Sequence, residues 1–138
     1  MKLPIIGNCA CGSMKYKCNA EPVFMGHCHC RECQYLSGTS RSSVIAVPAS
    51  SVDIQGSTLI YFDYIADSGN KVYRGFCNKC GTPMFSYSEP TKEYIGIQVG
   101  TLEKPNLFKP TADVWCSSAP FWEIMDAETI KFEKDMDM

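Results

Sequence analysis

The chain has 138 residues, within the roughly 100–200 residues of one ordinary domain, which argues against a two-lobed enzyme with separate cofactor and substrate domains. Hydrophobic residues make up 45% and charged residues 20% of it, the balance of a soluble globular protein and not of a disordered, collagen-like or coiled-coil chain. Thirteen Lys and Arg against fifteen Asp and Glu leave a net charge of -2, without the basic excess that neutralises phosphates, so nucleic acid is not expected as a partner. Met1 to Gly7 is too short and too lightly apolar for a signal peptide, and no run approaches the ~18–20 apolar residues of a membrane span. The expectation is a single domain over residues 1–138, soluble and cytoplasmic, with no membrane contact.

In chain order most segments read as strands. Met14 to Cys18 alternates apolar and charged residues, as a half-buried strand does, and Pro22 to Met25 begins an extended run into a group of cysteines. Arg31 to Ser37 is the one helical candidate, two turns long, with Gly38 placed for a left-handed stop. Ser43 to Val47, Thr58 to Ala66, Lys71 to Phe76, Pro83 to Tyr87 and Tyr94 to Val99 are β-branched or aromatic and separated by Ser, Gly, Asn and Pro. Glu123 to Met138 is charged and lacks a long apolar period, and its end is expected to fray. The fold class is therefore mainly β with little helix. Leu36, Val44, Ile45, Val47, Leu59, Tyr61, Ile95, Ile97, Val99 and Trp115 are the core candidates.

Nine cysteines form the anomalous number. An odd count cannot pair off completely, and seven of the nine fall in C-x-C and C-x-x-C clusters, closer than a disulfide framework spaces them. In Cys9-Ala10-Cys11-Gly12, residues two apart in an extended segment point the same way, so both thiolates can grip one ion. Cys77-Asn78-Lys79-Cys80-Gly81 is a knuckle whose turn returns the second cysteine to the same ion. Cys9, Cys11, Cys77 and Cys80 together offer the closed tetrahedral set of a structural zinc site. Cys28-His29-Cys30-Arg31-Glu32-Cys33 combines both spacings. If Cys28, Cys30 and Cys33 share a second zinc, its fourth position is open, as catalytic zinc requires, unless His27, His29 or an outside group fills it.

His29 alternates away from Cys28 and Cys30 and shares a face with His27. Either is a poor ligand for the same ion and stands as a partner to the ligands, a proton carrier or an ordinary surface residue. Cys18 lies on the apolar side of its strand, and Cys116 has no neighbouring cysteine; core packing is the reading for both.

The clusters, in this order, resemble the family of glutathione-dependent formaldehyde-activating enzymes and the related centromere protein V domain. Gly7 to Gly12 is similar to the family's opening, Cys28 to Gly38 to its central motif, and Arg74 to Pro83 to its second knuckle. Gly100 to Pro105 and Pro120 to Trp122 are similar to later signatures. The resemblance implies several coiled β-sheets organised around two zinc ions, with Cys9, Cys11, Cys77 and Cys80 on a structural ion and Cys28, Cys30 and Cys33 on a catalytic one. The chain departs from the family at Asp113, where a histidine is common, and at Phe121, inserted within the Pro-Trp pair, so the end of the pocket is expected to differ.

Zinc with three thiolates can hold an incoming thiol as thiolate at neutral pH. The expected activity is that of a carbon-sulfur lyase acting on the adduct of a small thiol such as glutathione with a small aldehyde, similar to S-(hydroxymethyl)glutathione synthase. His29 or His27 would carry the proton, and Arg31, Arg41 and Lys79 are candidate anchors for the thiol's anionic ends. A zinc-stabilised interaction module using Tyr61, Phe62 and Tyr64 is the alternative. A methionine sulfoxide reductase-like enzyme using Cys116 is a further one.

Overall fold

A computed structural model describes residues 1–136. Eleven strands and one helix follow in the order β1 (Ile5–Asn8), β2 (Lys15–Cys18), β3 (Phe24–Cys28), α1 (Arg31–Ser37), β4 (Ser42–Pro48), β5 (Val52–Gln55), β6 (Leu59–Ile65), β7 (Lys71–Cys77), β8 (Pro83–Ser88), β9 (Tyr94–Gln98), β10 (Ala112–Val114) and β11 (Ile130–Lys131). They make a three-stranded sheet, β1-β2-β5, and an eight-stranded sheet, β11-β10-β3-β4-β9-β8-β7-β6. The mainly β class with a single short helix is as the sequence indicates. Among the described residues no helix is long and apolar enough to cross a membrane.

The core lies where the small sheet meets β4, β8 and β9. In β2 and just before it, Met14, Tyr16 and Cys18 are buried while Lys15 and Lys17 stay exposed, the alternation that a half-buried strand produces. These meet Ile45, Val47, Met84, Phe85, Ile95 and Ile97 from the large sheet and Val99 just past β9. Tyr16 packs edge-on against Phe85 with centroids 5.4 Å apart, and its hydroxyl finds Thr101 Oγ1 at 2.8 Å, so the polar tip of a buried ring is satisfied.

Five core candidates are placed differently from the expectation. Leu36, Val44, Leu59 and Trp115 are half-buried, and Tyr61 is 36% exposed. Strand β6 pairs only with β7 and forms the sheet edge, so its outward face is not covered, and Tyr61 packs on Tyr87 at 5.6 Å. The C-terminal segment contributes a strand before its end. Ile130–Lys131 adds to β10 as β11, and Phe132 N donates to Asp113 O at 2.9 Å; residues 137–138 of that tail lie outside the described residues. The short strands β1, β5, β10 and β11 carry too few residues for alternation to announce them.

Strand β10 joins the sheet by parallel pairing with β3, Ala112 opposite Gly26 and Val114 opposite Cys28. Any side chain at Gly26 would put its Cβ 2.3 Å from the Ala112 carbonyl oxygen. Glycine at this point lets the two backbones close up, and that fixes where β3 delivers its cysteines.

Candidate metal centre and cleft

The first cluster joins the two sheets. Cys9 and Cys11 lie in the β1–β2 turn, Cys77 ends β7 and Cys80 lies in the turn to β8. Gly12 N donates to Cys9 O at 3.0 Å and Gly81 N to Cys77 O at 2.7 Å, closing the two knuckles. All four sulfurs lie within 4.8 Å of one another, with Cys9 Sγ 3.6 Å from Cys11 Sγ and Cys11 Sγ 3.8 Å from Cys77 Sγ. Zinc–sulfur bonds of about 2.3 Å in a tetrahedron put sulfurs about 3.8 Å apart, so this donor set fits zinc. Met14 N reaches Cys9 Sγ at 3.3 Å. The Thr82 hydroxyl lies 3.1 Å from Cys80 Sγ and, with nearby backbone donors, holds the Cys80 thiol down to about 5. These donors favour thiolate, the form a metal needs.

The second cluster is set by the junction of β3 and α1. Cys28 ends β3, Cys30 caps the helix by accepting from Cys33 N at 3.4 Å, and Cys33 sits in its first turn. The helix stops at Gly38, left-handed at φ 73, as the sequence implies. The three sulfurs lie within 4.8 Å of one another. Among the described residues no other cysteine, histidine or carboxylate joins this group. Hydrogen bonds from the Cys28 and Cys30 thiols hold Cys33 down to about 3 against its burial, with help from the Arg74 guanidinium. Cys28 is pushed up because its thiol donates. Arg74 Nη2 donates to Cys33 Sγ at 3.4 Å, and Nε donates to the Tyr64 hydroxyl at 3.0 Å.

The three sulfurs open on a cleft of about 230 Å³ that is also lined by Arg31, Tyr64, Arg74, Trp115 and Ser118. Trp115 adopts φ 56, the one left-handed non-glycine residue among those described, a costly conformation of the kind that gathers at functional sites. Arg31, one of the anticipated anchors, lines the cleft with its guanidinium 4.8 Å from the Tyr35 ring centroid. The other two do not line it. Arg41 Nε sits 3.9 Å from Glu123 Oε2, and Lys79 belongs to the four-cysteine knuckle. Arg74 and Tyr64 take their place. Both lie in segments rich in β-branched and aromatic residues, but sequence alone leaves open which way β7 and β6 present them.

Neither histidine lines the cleft. His29 is fully buried, its Nε2 2.8 Å from Asp113 Oδ1 and its Nδ1 3.4 Å from Glu123 Oε2 without a hydrogen bond. Asp113, also fully buried, accepts from the Thr129 hydroxyl at its other oxygen. Burial would raise this carboxyl, but the bonds from Thr129 and His29 keep it below the ordinary carboxylate value. Gln34 Nε2 donates to His29 O at 2.8 Å and to Ser118 O at 3.0 Å. The position where the resemblance expected histidine therefore carries the carboxylate that locks the cysteine loop to the C-terminal segment. His27 Nδ1 meets Ser43 Oγ at 2.8 Å, and burial, then the Arg41 charge, pushes its pKa down. The surface-residue reading of both histidines is thus overturned by their burial.

Cys18 is buried, with Ser51 Oγ 3.2 Å from its sulfur. Cys116 rests on Asp113 O at 3.4 Å, and burial pushes its thiol up, the opposite of an activated nucleophile. All nine cysteines are unpaired. Phe121, inserted in the Pro-Trp pair, is fully exposed, and Trp122 is half exposed.

A mainly β scaffold gathers four thiols where its two sheets meet and three at a cleft, and either set could hold a metal ion. The chain belongs to the glutathione-dependent formaldehyde-activating enzyme family, whose model matches residues 4–118. No curated protein matches it. The crystal structure of a Rhodobacter sphaeroides protein is similar, at 18% identity and a TM-score of 0.59, covering 76% of this chain and 96% of that one; it shares the fold.

Proposed function

We propose that residues 1–138 work as one zinc-dependent carbon-sulfur lyase-type domain, acting on the adduct of a small thiol with a small aldehyde in the manner of an S-(hydroxymethyl)glutathione synthase. The observation that carries this reading is the inequality of the two clusters. One is a closed set of four sulfurs, whereas the other stops at three and faces a cleft. Cys9, Cys11, Cys77 and Cys80 would hold a structural zinc, and Cys28, Cys30 and Cys33 a catalytic one. Bound at the three-cysteine site, zinc supplies an open position at which an exogenous thiol is held as thiolate at neutral pH.

The chain's own residues then do the rest. Asp113, through His29, holds the loop that carries Cys28 and Cys30, so the part proposed for His29 is to position the ligands. Arg74 sets one positive charge beside Cys33, where it offsets the excess negative charge of clustered thiolates. Arg31 is the cation available at the cleft for a carboxylate of the thiol. Free thiols at every cysteine suit the reducing cytoplasm. The family's named substrates, glutathione and formaldehyde, make the reference pair.

Cobalt replacing zinc tests the reading. Adding glutathione should alter the thiolate-to-cobalt absorption, and exchange between free and thiol-bound formaldehyde, followed by NMR, should exceed the uncatalysed rate. Cys30→Ser should abolish that excess. A spectral response without faster exchange removes formaldehyde as substrate. No response to any small thiol favours an interaction module, for which the exposed Phe62 and Tyr61 on β6 are the available surface.

A further inference from the structure

Addition of a thiolate to an aldehyde puts charge on oxygen, and reversal needs the hydroxyl proton removed, so such a site requires a proton donor facing the reacting carbon. Both histidines are packed outside the cleft. Of the cleft's hydroxyls, those of Ser68, Ser88 and Ser118 make no hydrogen bond to the Arg74 guanidinium that contacts Cys33. Tyr64 is different. Its oxygen accepts from Arg74 Nε at 3.0 Å, and among the described residues no acceptor takes its own proton. The same guanidinium contacts Cys33 Sγ at 3.4 Å and is only 8% exposed, so one rigid planar group fixes the hydroxyl relative to the sulfur cluster. Tyr64 also forms the border between this cleft and a groove lined by Tyr35, Leu36 and Phe62.

We propose that Tyr64, oriented by Arg74, is the catalytic donor to the oxygen of the aldehyde-derived carbon. This rests on the lyase reading above. In the forward direction the sulfur lone pair forms the C–S bond while the C=O π pair moves to oxygen, which takes the Tyr64 proton, and water returns a proton to the phenolate. In reverse Tyr64 first gives its proton to water, and the phenolate so formed takes the hydroxyl proton as the C=O π bond re-forms and the C–S pair returns to sulfur. No oxidant or reductant enters. Burial holds the Tyr64 hydroxyl above its ordinary value, with Arg74 opposing in part, so it carries its proton at neutral pH.

The test is Tyr64→Phe in the zinc-loaded protein, with the formaldehyde exchange assay, the cobalt–thiol spectrum and a thermal melt measured together. Exchange kcat should fall about 100-fold or more, the usual effect of removing an oxyanion donor. The thiol concentration that half-saturates the cobalt spectrum should stay within about twofold, since the ground-state thiol does not need the hydroxyl. Incorporating 3-fluorotyrosine at position 64, which keeps the shape and acidifies the phenol, should shift the pH profile of exchange to lower pH. Wild-type exchange with an unaffected Phe variant overturns the role of Tyr64 and leaves the lyase reading in place. Loss of the cobalt–thiol spectrum in the Phe variant, or a pH profile unmoved by fluorination, also overturns it. No exchange by the wild-type protein removes the lyase reading and this role with it.

Discussion

Replacing Asp113 by Ala is the sharpest test of how the three-cysteine loop is held. The carboxylate is fully buried and takes two hydrogen bonds, from His29 Nε2 at 2.8 Å and from the Thr129 hydroxyl. Each bond to a charged group is worth about 1.5–3 kcal/mol, and a buried partner left unpaired adds its own desolvation cost, so about 3–5 kcal/mol should be lost. Against a domain stability of about 5–15 kcal/mol this is roughly a fifth or more of the whole. At about 2–4 °C per kcal/mol for a chain near 150 residues, Tm should fall by roughly 10 °C or more. Asp113→Asn keeps the volume and one acceptor and should lose about half as much. The assay is a thermal melt of the zinc-loaded protein, paired with a urea titration whose slope should stay unchanged. A Tm drop under about 2 °C for the Ala variant would refute the claim that this carboxylate clamps the loop.

Three further outcomes follow from the site. Elemental analysis of gently purified protein should find about two zinc ions per chain, because seven clustered thiolates exceed what one tetrahedral ion uses; a content fixed at one under zinc-replete conditions undoes the two-site assignment. Cys80→Ser should unfold or aggregate the protein, since structural zinc contributes about 10–16 kcal/mol of apparent binding energy, whereas Cys30→Ser should stay folded and bind the second ion poorly. Equal loss of Tm in both would make the second cluster another structural staple. Gly26→Ala should cost several kcal/mol on a urea titration, because its Cβ would meet the Ala112 carbonyl at 2.3 Å and neither backbone can yield cheaply; a loss near zero would mean that β3 and β10 can separate without consequence.

Much of this was legible in the chain. Period-two alternation marks Tyr16 and Cys18 as inward, residue type marks Ile45, Val47, Ile95 and Ile97 as core, and all six are buried. The spacing of the cysteines alone groups them four and three, as the structure does. The alternation that turns His29 away from its neighbouring cysteines is also present, but its partner is not. Asp113 lies 84 positions away, and only the parallel pairing of β3 with β10 brings it alongside. The same holds for Arg74, whose contact with Cys33 spans 41 positions. Tyr61 failed as a core residue because amino-acid type does not say which strand of a sheet is the edge.

Strand β7 carries Arg74 and, three residues on, Cys77. At about 3.3 Å per residue these lie roughly 10 Å apart along one extended backbone. The cysteine belongs to the set of four and the arginine to the set of three, so the strand works as a shared rail between the two centres. Stripping an ion from the four-cysteine knuckle would release the end of that rail and let the guanidinium drift from Cys33 and Tyr64. Emptying the three-cysteine loop would leave the rail anchored. If both clusters hold zinc as proposed, dependence between them should therefore run one way, and a chelator that strips the four-cysteine set should disturb both sites while one that reaches only the three-cysteine set should disturb one.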